Sequence, residues 1–183
     1  MRRRTATILI TVVAFLVLGF GALLVSSLVY DKSNPRNRPN SYLIEVSVEV
    51  HKPLEYVYEF VKYRKADIYT ELTSMHDKFE ILNADGLVEG AEIECIERDE
   101  DDVVHHRYVV TKDVEDELIQ YESTPSIIYD RETNRKIGEC NTYVYYDFER
   151  LDDNRTRLTQ TVVIDMLNPL YKSIGDIVGF VIG

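Results

Sequence analysis

The sequence predicts an α+β fold, a curved antiparallel sheet of six to seven strands with helices on one side, set behind one membrane-spanning helix. Three observations carry this. No charge occurs from Thr5 to Tyr30. Apolar residues alternate with polar ones through residues 42–50 and again through most of 91–165. Helical spacing appears only at residues 53–63 and after Asn168-Pro169.

The 183-residue chain divides by charge. Residues 1–40 carry Arg2, Arg3, Arg4, Lys32, Arg36 and Arg38 against Asp31 alone, a net of +5, while the remaining residues sum to −16. The mean hydropathy of −0.21 averages these two parts. A domain so acidic is a poor partner for nucleic acid, whose binding rests on neutralising phosphates. Two cysteines exclude a disulfide scaffold and a four-cysteine zinc site.

Residues 1–5 form a basic tail and residues 6–30 the membrane anchor. As a helix, the uncharged run reaches about 39 Å, enough for a hydrocarbon core of about 30 Å. A cleaved signal peptide would have a shorter apolar core and a small-x-small site. Here the core is longer, and Val25 breaks that pattern before Ser26-Ser27. Arg2–Arg4 abut the core and favour a cytoplasmic N-terminus, which puts the acidic domain on the non-cytoplasmic side. Lys32, Arg36 and Arg38 nearly balance that count. Residues 31–40 (DKSNPRNRPN), with Pro35 and Pro39, read as a linker.

The domain, residues 41–183, opens on a strand in which Tyr42, Ile44, Val46, Val48 and Val50 share one face. Pro53 starts a helix whose stripe is Leu54, Val57, Tyr58 and Val61, ending near Tyr63. Ile68, Leu72 and Met75 suggest a short second helix within residues 66–77. Strands follow at Phe79–Leu82, at Ala91, Ile93 and Cys95 after the Gly86–Gly90 turn, at Val103–Thr111, and at Glu117–Tyr121 with a possible extension to Tyr129. Asp99–Asp102 is a charged hairpin tip and Glu132–Arg135 a second turn. Cys140, Thr142, Val144, Tyr146 and Phe148 alternate along the next strand, with Tyr143 and Tyr145 on its outer face. Asp152-Asp153-Asn154 turns into Thr156–Asp165, which puts Leu158, Gln160, Val162 and Ile164 on one face. Asn168 caps and Pro169 opens a C-terminal helix, with Leu170, Ile174, Ile177 or Val178, and Val181 near one face.

Three stretches carry a resemblance. Val46-Ser47-Val48-Glu49-Val50 runs into Pro53-Leu54-Glu55-Tyr56-Val57-Tyr58. Gly86-Leu87-Val88-Glu89-Gly90-Ala91 precedes the third strand. Asp152-Asp153-Asn154-Arg155-Thr156-Arg157-Leu158-Thr159 leads into the last. Their order and spacing resemble the START-like, or SRPBCC, superfamily: the helix-grip fold of polyketide cyclases, aromatases, birch-pollen-allergen-like proteins and lipid-transfer START domains. The resemblance covers residues 42–183. The family's helix-start tryptophan is Tyr58 here, and the C-terminal helix is shorter than many in the family. The resemblance implies a sheet wrapped around that helix, with an apolar cavity between them for a hydrophobic small molecule: a lipid, an isoprenoid or a polyketide-like compound.

The residues expected at such a cavity are Tyr58, Ile93, Cys95, His106, Tyr108, Val144, Tyr146, Phe148, Ile174 and Val178. Each also suits an ordinary core. Pockets of this kind are mostly apolar with a few aimed polar groups, and tyrosine supplies both characters. His105 and His106 are adjacent on a strand and must face opposite sides, so they cannot share one metal without a bulge. His106, on the face of Val104 and Tyr108, could anchor a ligand or act as a base. His51 and His76 have no partner that spacing identifies. No nucleophile, phosphate-loop or zinc-protease motif occurs, and the sequence assigns no catalytic residue, metal or cofactor. Two strands are expected between those of Cys95 and Cys140, too far for a disulfide. Gly175, Gly179 and Gly183 form a small-residue stripe on the last helix.

Three functions compete at this level. The first is a membrane-anchored binder of a hydrophobic small molecule. The second is a cyclase- or dehydratase-like enzyme, which needs His106, Tyr108 or Tyr146 to meet a carboxylate in the interior. The third is an acidic interaction module without a cavity.

Overall fold

Alternation and turn chemistry fix the strands, and their pairing fixes the face on which function would reside. The computed structural model describes residues 35–37, 41–63, 70 and 75–166. The expected membrane anchor at 6–30, most of the linker, most of the second short helix and the C-terminal helix, with Ile174 and Val178, lie outside the described residues. Among the described residues no helix is long and apolar enough to cross a membrane.

A short 3-10 turn, Pro35–Asn37, comes first. The unit Tyr42–Leu167 is described by itself. Its elements are β1 (Ser41–Val50), α1 (Leu54–Lys62), β2 (His76–Ile81), β3 (Glu92–Arg98), β4 (Asp102–Val114), β5 (Leu118–Asp130), β6 (Lys136–Asp152) and β7 (Arg155–Asp165). They form one seven-stranded sheet in the order β1-β7-β6-β5-β4-β3-β2. All pairings from β2 to β7 are antiparallel between neighbours in sequence. The chain thus meanders from β2 to β7, and β7 closes against the first strand.

Pro53 precedes α1, where its fixed φ and missing N–H cost nothing. Leu54, Val57, Tyr58 and Val61 are buried, the i, i+3, i+4, i+7 stripe of a helix lying on a core. They pack with Ile93, Cys95, Tyr108, Val110, Ile119, Tyr121, Val144, Tyr146 and Phe148 on one sheet face, called here the inner face. At the turn before β3 the Leu87 N–H bonds the Lys62 carbonyl at 2.9 Å and joins that turn to the end of α1.

Bulges adjust the register. In β5 one extra residue enters between Ser123 and Ser126, where the Thr124–Pro125 peptide is cis. Alternation therefore switches from odd to even residues, and both serines are fully buried. Despite the bulge the strand runs from Leu118 to Asp130, the longer of the two lengths expected. A second irregularity, between His76 and Lys78, sets His76 opposite Glu97. His76 and Asp77 thus open β2 rather than end a helix.

Two expectations about faces need correction. Ile44, Val46 and Val48 of β1 are 53%, 58% and 48% exposed instead of half-buried on one side. Their strand is an edge, and the described core thins at Leu158 and Val162 of β7. Tyr143 and Tyr145 do lie on the outer face, but they are buried there. With Val163 and partly buried Leu118 they form a second, smaller core. The outer-face residues Thr161, Val163 and Asp165 of β7 are accordingly more buried than Leu158, Gln160 and Val162 on the inner face.

Candidate functional site

The inner face joins an aromatic floor to a polar end. Pairing across the sheet puts Ile93 opposite Tyr108, Cys95 opposite His106, Tyr121 opposite Val144 and Phe148 opposite Leu158. All eight described residues expected at the site (Tyr58, Ile93, Cys95, His106, Tyr108, Val144, Tyr146 and Phe148) are buried on this face or on the helix covering it. His105 faces the other way, exposed and packed against Tyr129 with ring centroids 4.9 Å apart.

The aromatic rings on the floor form two groups. Tyr58 meets Phe148 edge-on at 5.4 Å. Tyr146 lies 6.1 Å from Tyr121, which meets Tyr108 edge-on at 4.9 Å. Tyr108 then stacks on His106 at 4.9 Å with the rings 8° from parallel. Such pairs hold their rings in preferred offset or edge geometries. Gln160 donates to the Tyr146 hydroxyl at 3.0 Å, so that ring keeps a polar anchor inside an apolar layer.

At the His106 end the side chains become polar. His106 Nδ1 lies 2.7 Å from Ser126 Oγ. Ser126 in turn donates to Thr142 Oγ1 at 3.0 Å. Its one proton is thereby used, so it meets His106 as an acceptor. Nδ1 therefore donates to Ser126. Cys140 Sγ lies 3.7 Å from the same Thr142 hydroxyl. Burial pushes the Cys140 thiol pKa up.

His106 Nε2 lies 3.6 Å from Glu97 Oε2, and His76 Nε2 lies 3.2 Å from Glu97 Oε1. Desolvation works to raise the Glu97 pKa, but the two imidazoles outweigh it and hold the carboxyl well below its usual range. Cys95 Sγ approaches Glu97 Oε1 at 3.9 Å. Sequence reasoning missed Glu97, His76, Ser126 and Thr142. The parity of Glu97 with Ile93 and Cys95 was a usable signal for the first. The bulges that align His76 and Ser126 leave no such mark.

At another edge, α1 and the end of β4 carry a second polar group. Tyr58 Oη donates to Asp113, and Lys62 Nζ reaches the same carboxylate at 2.7 Å and Tyr58 Oη at 3.1 Å. A cleft of about 510 Å³ opens here, lined by acids (Glu55, Glu59, Asp113, Glu115 and Asp116) with Tyr58, Lys62 and Tyr63. Among the described residues expected at the ligand, only Tyr58 borders it.

No family model matches the chain, and no curated protein does. Solved structures do. Ginseng major latex-like protein 151 from Panax ginseng superposes with a TM-score of 0.50 at 7% identity, over 75% of this chain and 95% of that one. A START superfamily protein from Mycobacterium smegmatis gives 0.45 at 13% identity, over 73% and 86%. The Zhui aromatase/cyclase of a Streptomyces species gives 0.44 at 19%, over 68% and 67%. The first of these likenesses is one of fold: the seven-stranded antiparallel sheet with its helix is that of a helix-grip domain.

Proposed function

We propose that this chain binds a hydrophobic small molecule, a lipid, isoprenoid or polyketide-like compound, against the inner face of its sheet. One observation carries the reading: an aromatic floor, Tyr58 with Phe148 and Tyr146 with Tyr121 and Tyr108, that ends in a buried, hydrogen-bonded polar set at His106, Ser126 and Thr142. An apolar wall with a few convergent polar groups is what recognition of an apolar ligand with one polar end requires. Ile174 and Val178 join the ligand set on the strength of the family resemblance. Residues 6–30 anchor the domain to a bilayer, on its non-cytoplasmic side, which suits a membrane-soluble ligand. The uncharged run from Thr5 to Tyr30 supports that part.

The test is native mass spectrometry of the full chain released from detergent, followed by titration of delipidated protein with a fluorescent fatty acid and a lipid panel. The reading expects a co-purified apolar species and saturable binding that Tyr108→Ala weakens. No co-purified species and no saturable binding across the panel would sink it.

A second reading has one observation in its favour. The carboxylate that an enzyme would need is present beside His106, as Glu97. Turnover of a polyketide-like substrate that His106→Gln abolishes while binding persists would establish it.

A further inference from the structure

We infer that His76, Cys95 and Glu97, with His106 beside them on the carboxylate's other oxygen, form a binding site for one divalent transition-metal ion of the zinc class. The site shares Cys95 and His106 with the proposed ligand face, but the inference does not depend on that reading. It rests on the donor set, its spacing and one buried imidazole nitrogen.

The donor atoms of His76, Cys95 and Glu97 all lie within 4.8 Å of one another. Zinc bonds of about 2.0–2.1 Å to nitrogen or oxygen and about 2.3 Å to sulfur place tetrahedral ligands roughly 3.4–3.7 Å apart. The structure gives 3.2 Å from His76 Nε2 to Glu97 Oε1 and 3.9 Å from Cys95 Sγ to the same oxygen. It gives 3.6 Å from His106 Nε2 to Glu97 Oε2. The set is mixed nitrogen, sulfur and oxygen, which suits zinc or cobalt and not calcium or magnesium.

His106 supplies the independent observation. Its side chain is 5% exposed, and Nε2 has no hydrogen-bond partner. Ser126 accepts from Nδ1, and Nε2 faces a Glu97 oxygen at 3.6 Å. A buried ring nitrogen and a carboxylate oxygen at that separation stand as two ligands of one tetrahedral ion would. The Ser126–His106 bond is also the arrangement that orients a metal-bound histidine, its second nitrogen donating to an oxygen outside the ligand set.

The elements explain why these groups meet. Cys95 and Glu97 share the inner face of β3 two residues apart, and His106 sits opposite Cys95 on β4. The irregularity in β2 replaces Asp77 by His76 opposite Glu97. An ion can enter from the Glu97 side, where the carboxylate is 36% exposed. On binding, the Cys95 thiol loses its proton to solvent and coordinates as the thiolate.

The experiment uses the full chain in detergent, stripped by a chelator and titrated with Co²⁺. The expected result is one equivalent bound, with a near-ultraviolet sulfur-to-cobalt charge-transfer band and visible bands of tetrahedral intensity. Cys95→Ser should remove the charge-transfer band, and Cys140→Ser should leave it. His76→Gln, at a partly exposed edge, should keep the fold by circular dichroism and weaken binding tenfold or more. Zn²⁺ should raise the melting temperature of the unaltered chain but not of His76→Gln. Absence of stoichiometric uptake, a band that survives Cys95→Ser, or unchanged affinity in folded His76→Gln would each overturn the inference.

Discussion

The phenol of Tyr58 donates a hydrogen bond to the carboxylate of Asp113, 55 residues further along the chain. Lys62, one turn on in α1, reaches the other oxygen of that carboxylate at 2.7 Å. One acid thus ties the helix to the end of β4, and both partners are mostly buried. Asp113→Ala leaves a buried ammonium and a hydroxyl without their acceptor. It should cost about 3 kcal/mol in urea unfolding, the low end for breaking a buried pair. Lys62→Met keeps the aliphatic packing and removes the charge, so it should cost less than Asp113→Ala.

The same triad sets an alkaline limit. Burial alone would lower the Lys62 pKa, but its bonds to Asp113 and Tyr58 outweigh that and raise it; the Tyr58 pKa is raised by burial and by Asp113. A raised folded pKa contributes stability that is fully present below the unfolded value, about 10.4 for lysine, and lost as pH rises through the folded one. The stability difference between the unaltered chain and Lys62→Met should be constant from pH 7 to about 9.5. It should shrink above about 10.5, because the native state then holds more protons than the unfolded one. A difference that shrinks instead between pH 7 and 9 would contradict this assignment.

Two glycines in one turn should respond differently to alanine. A Cβ on Gly86 would lie 2.7 Å from Tyr63 Cδ1 and 2.9 Å from the Lys62 carbonyl oxygen, which is backbone and cannot swing away. Gly90 has open space, but its φ is +84°. Gly90→Ala meets only the conformational penalty, roughly 1–2 kcal/mol. Gly86→Ala must move the end of α1 against the turn, an overpacking cost of about 1–3 kcal/mol. Thermal unfolding of the two variants should show both destabilised, with broadening or loss of cooperativity confined to Gly86→Ala.

What could be read from the residues was whatever repeats with a fixed period. Cys140 to Phe148 alternate cleanly, so their face was legible, as was the opposition of His105 and His106. Ile93 and Cys95 follow the same rule. The polar end of the site was not legible, because it depends on shifts of one residue. The bulge before Ser126 brings its hydroxyl under His106, and the shift at His76 brings that ring to Glu97. A bulge is decided by how whole strands pack and leaves no compositional mark. Burial of Tyr143 and Tyr145 escaped for a related reason: alternation identifies a second face but not whether anything covers it.

The cysteines offer a test of strand order. Cys95 on β3 and Cys140 on β6 are buried thiols outside any disulfide, with β4 and β5 between them. Burial raises the Cys140 thiol, which lowers its thiolate fraction at neutral pH. In the native protein a disulfide reagent should label Cys140 far more slowly than a free thiol, and unfolding in urea should release both at the reagent's ordinary rate. Non-reducing mass spectrometry should find no internal crosslink. A native Cys95–Cys140 bridge would require a different strand order.

His106 and Ser126 should be coupled energetically. Ser126 has no exposed surface; its oxygen accepts the His106 Nδ1 proton, and its own proton goes to Thr142. Ser126→Ala strips an acceptor from a buried N–H and a donor from a buried hydroxyl, at a cost of about 1–3 kcal/mol. His106→Phe leaves the serine hydroxyl its bond to Thr142 and keeps the stack on Tyr108, so it should cost less. Once the imidazole is gone, Ser126→Ala removes only the weaker hydroxyl–hydroxyl bond. The double variant should therefore be more stable than the two single losses add up to, by about 1 kcal/mol. Urea denaturation of the four proteins measures that difference directly. Strict additivity would mean that the 2.7 Å contact carries no interaction energy, and that something other than Ser126 fixes the imidazole proton.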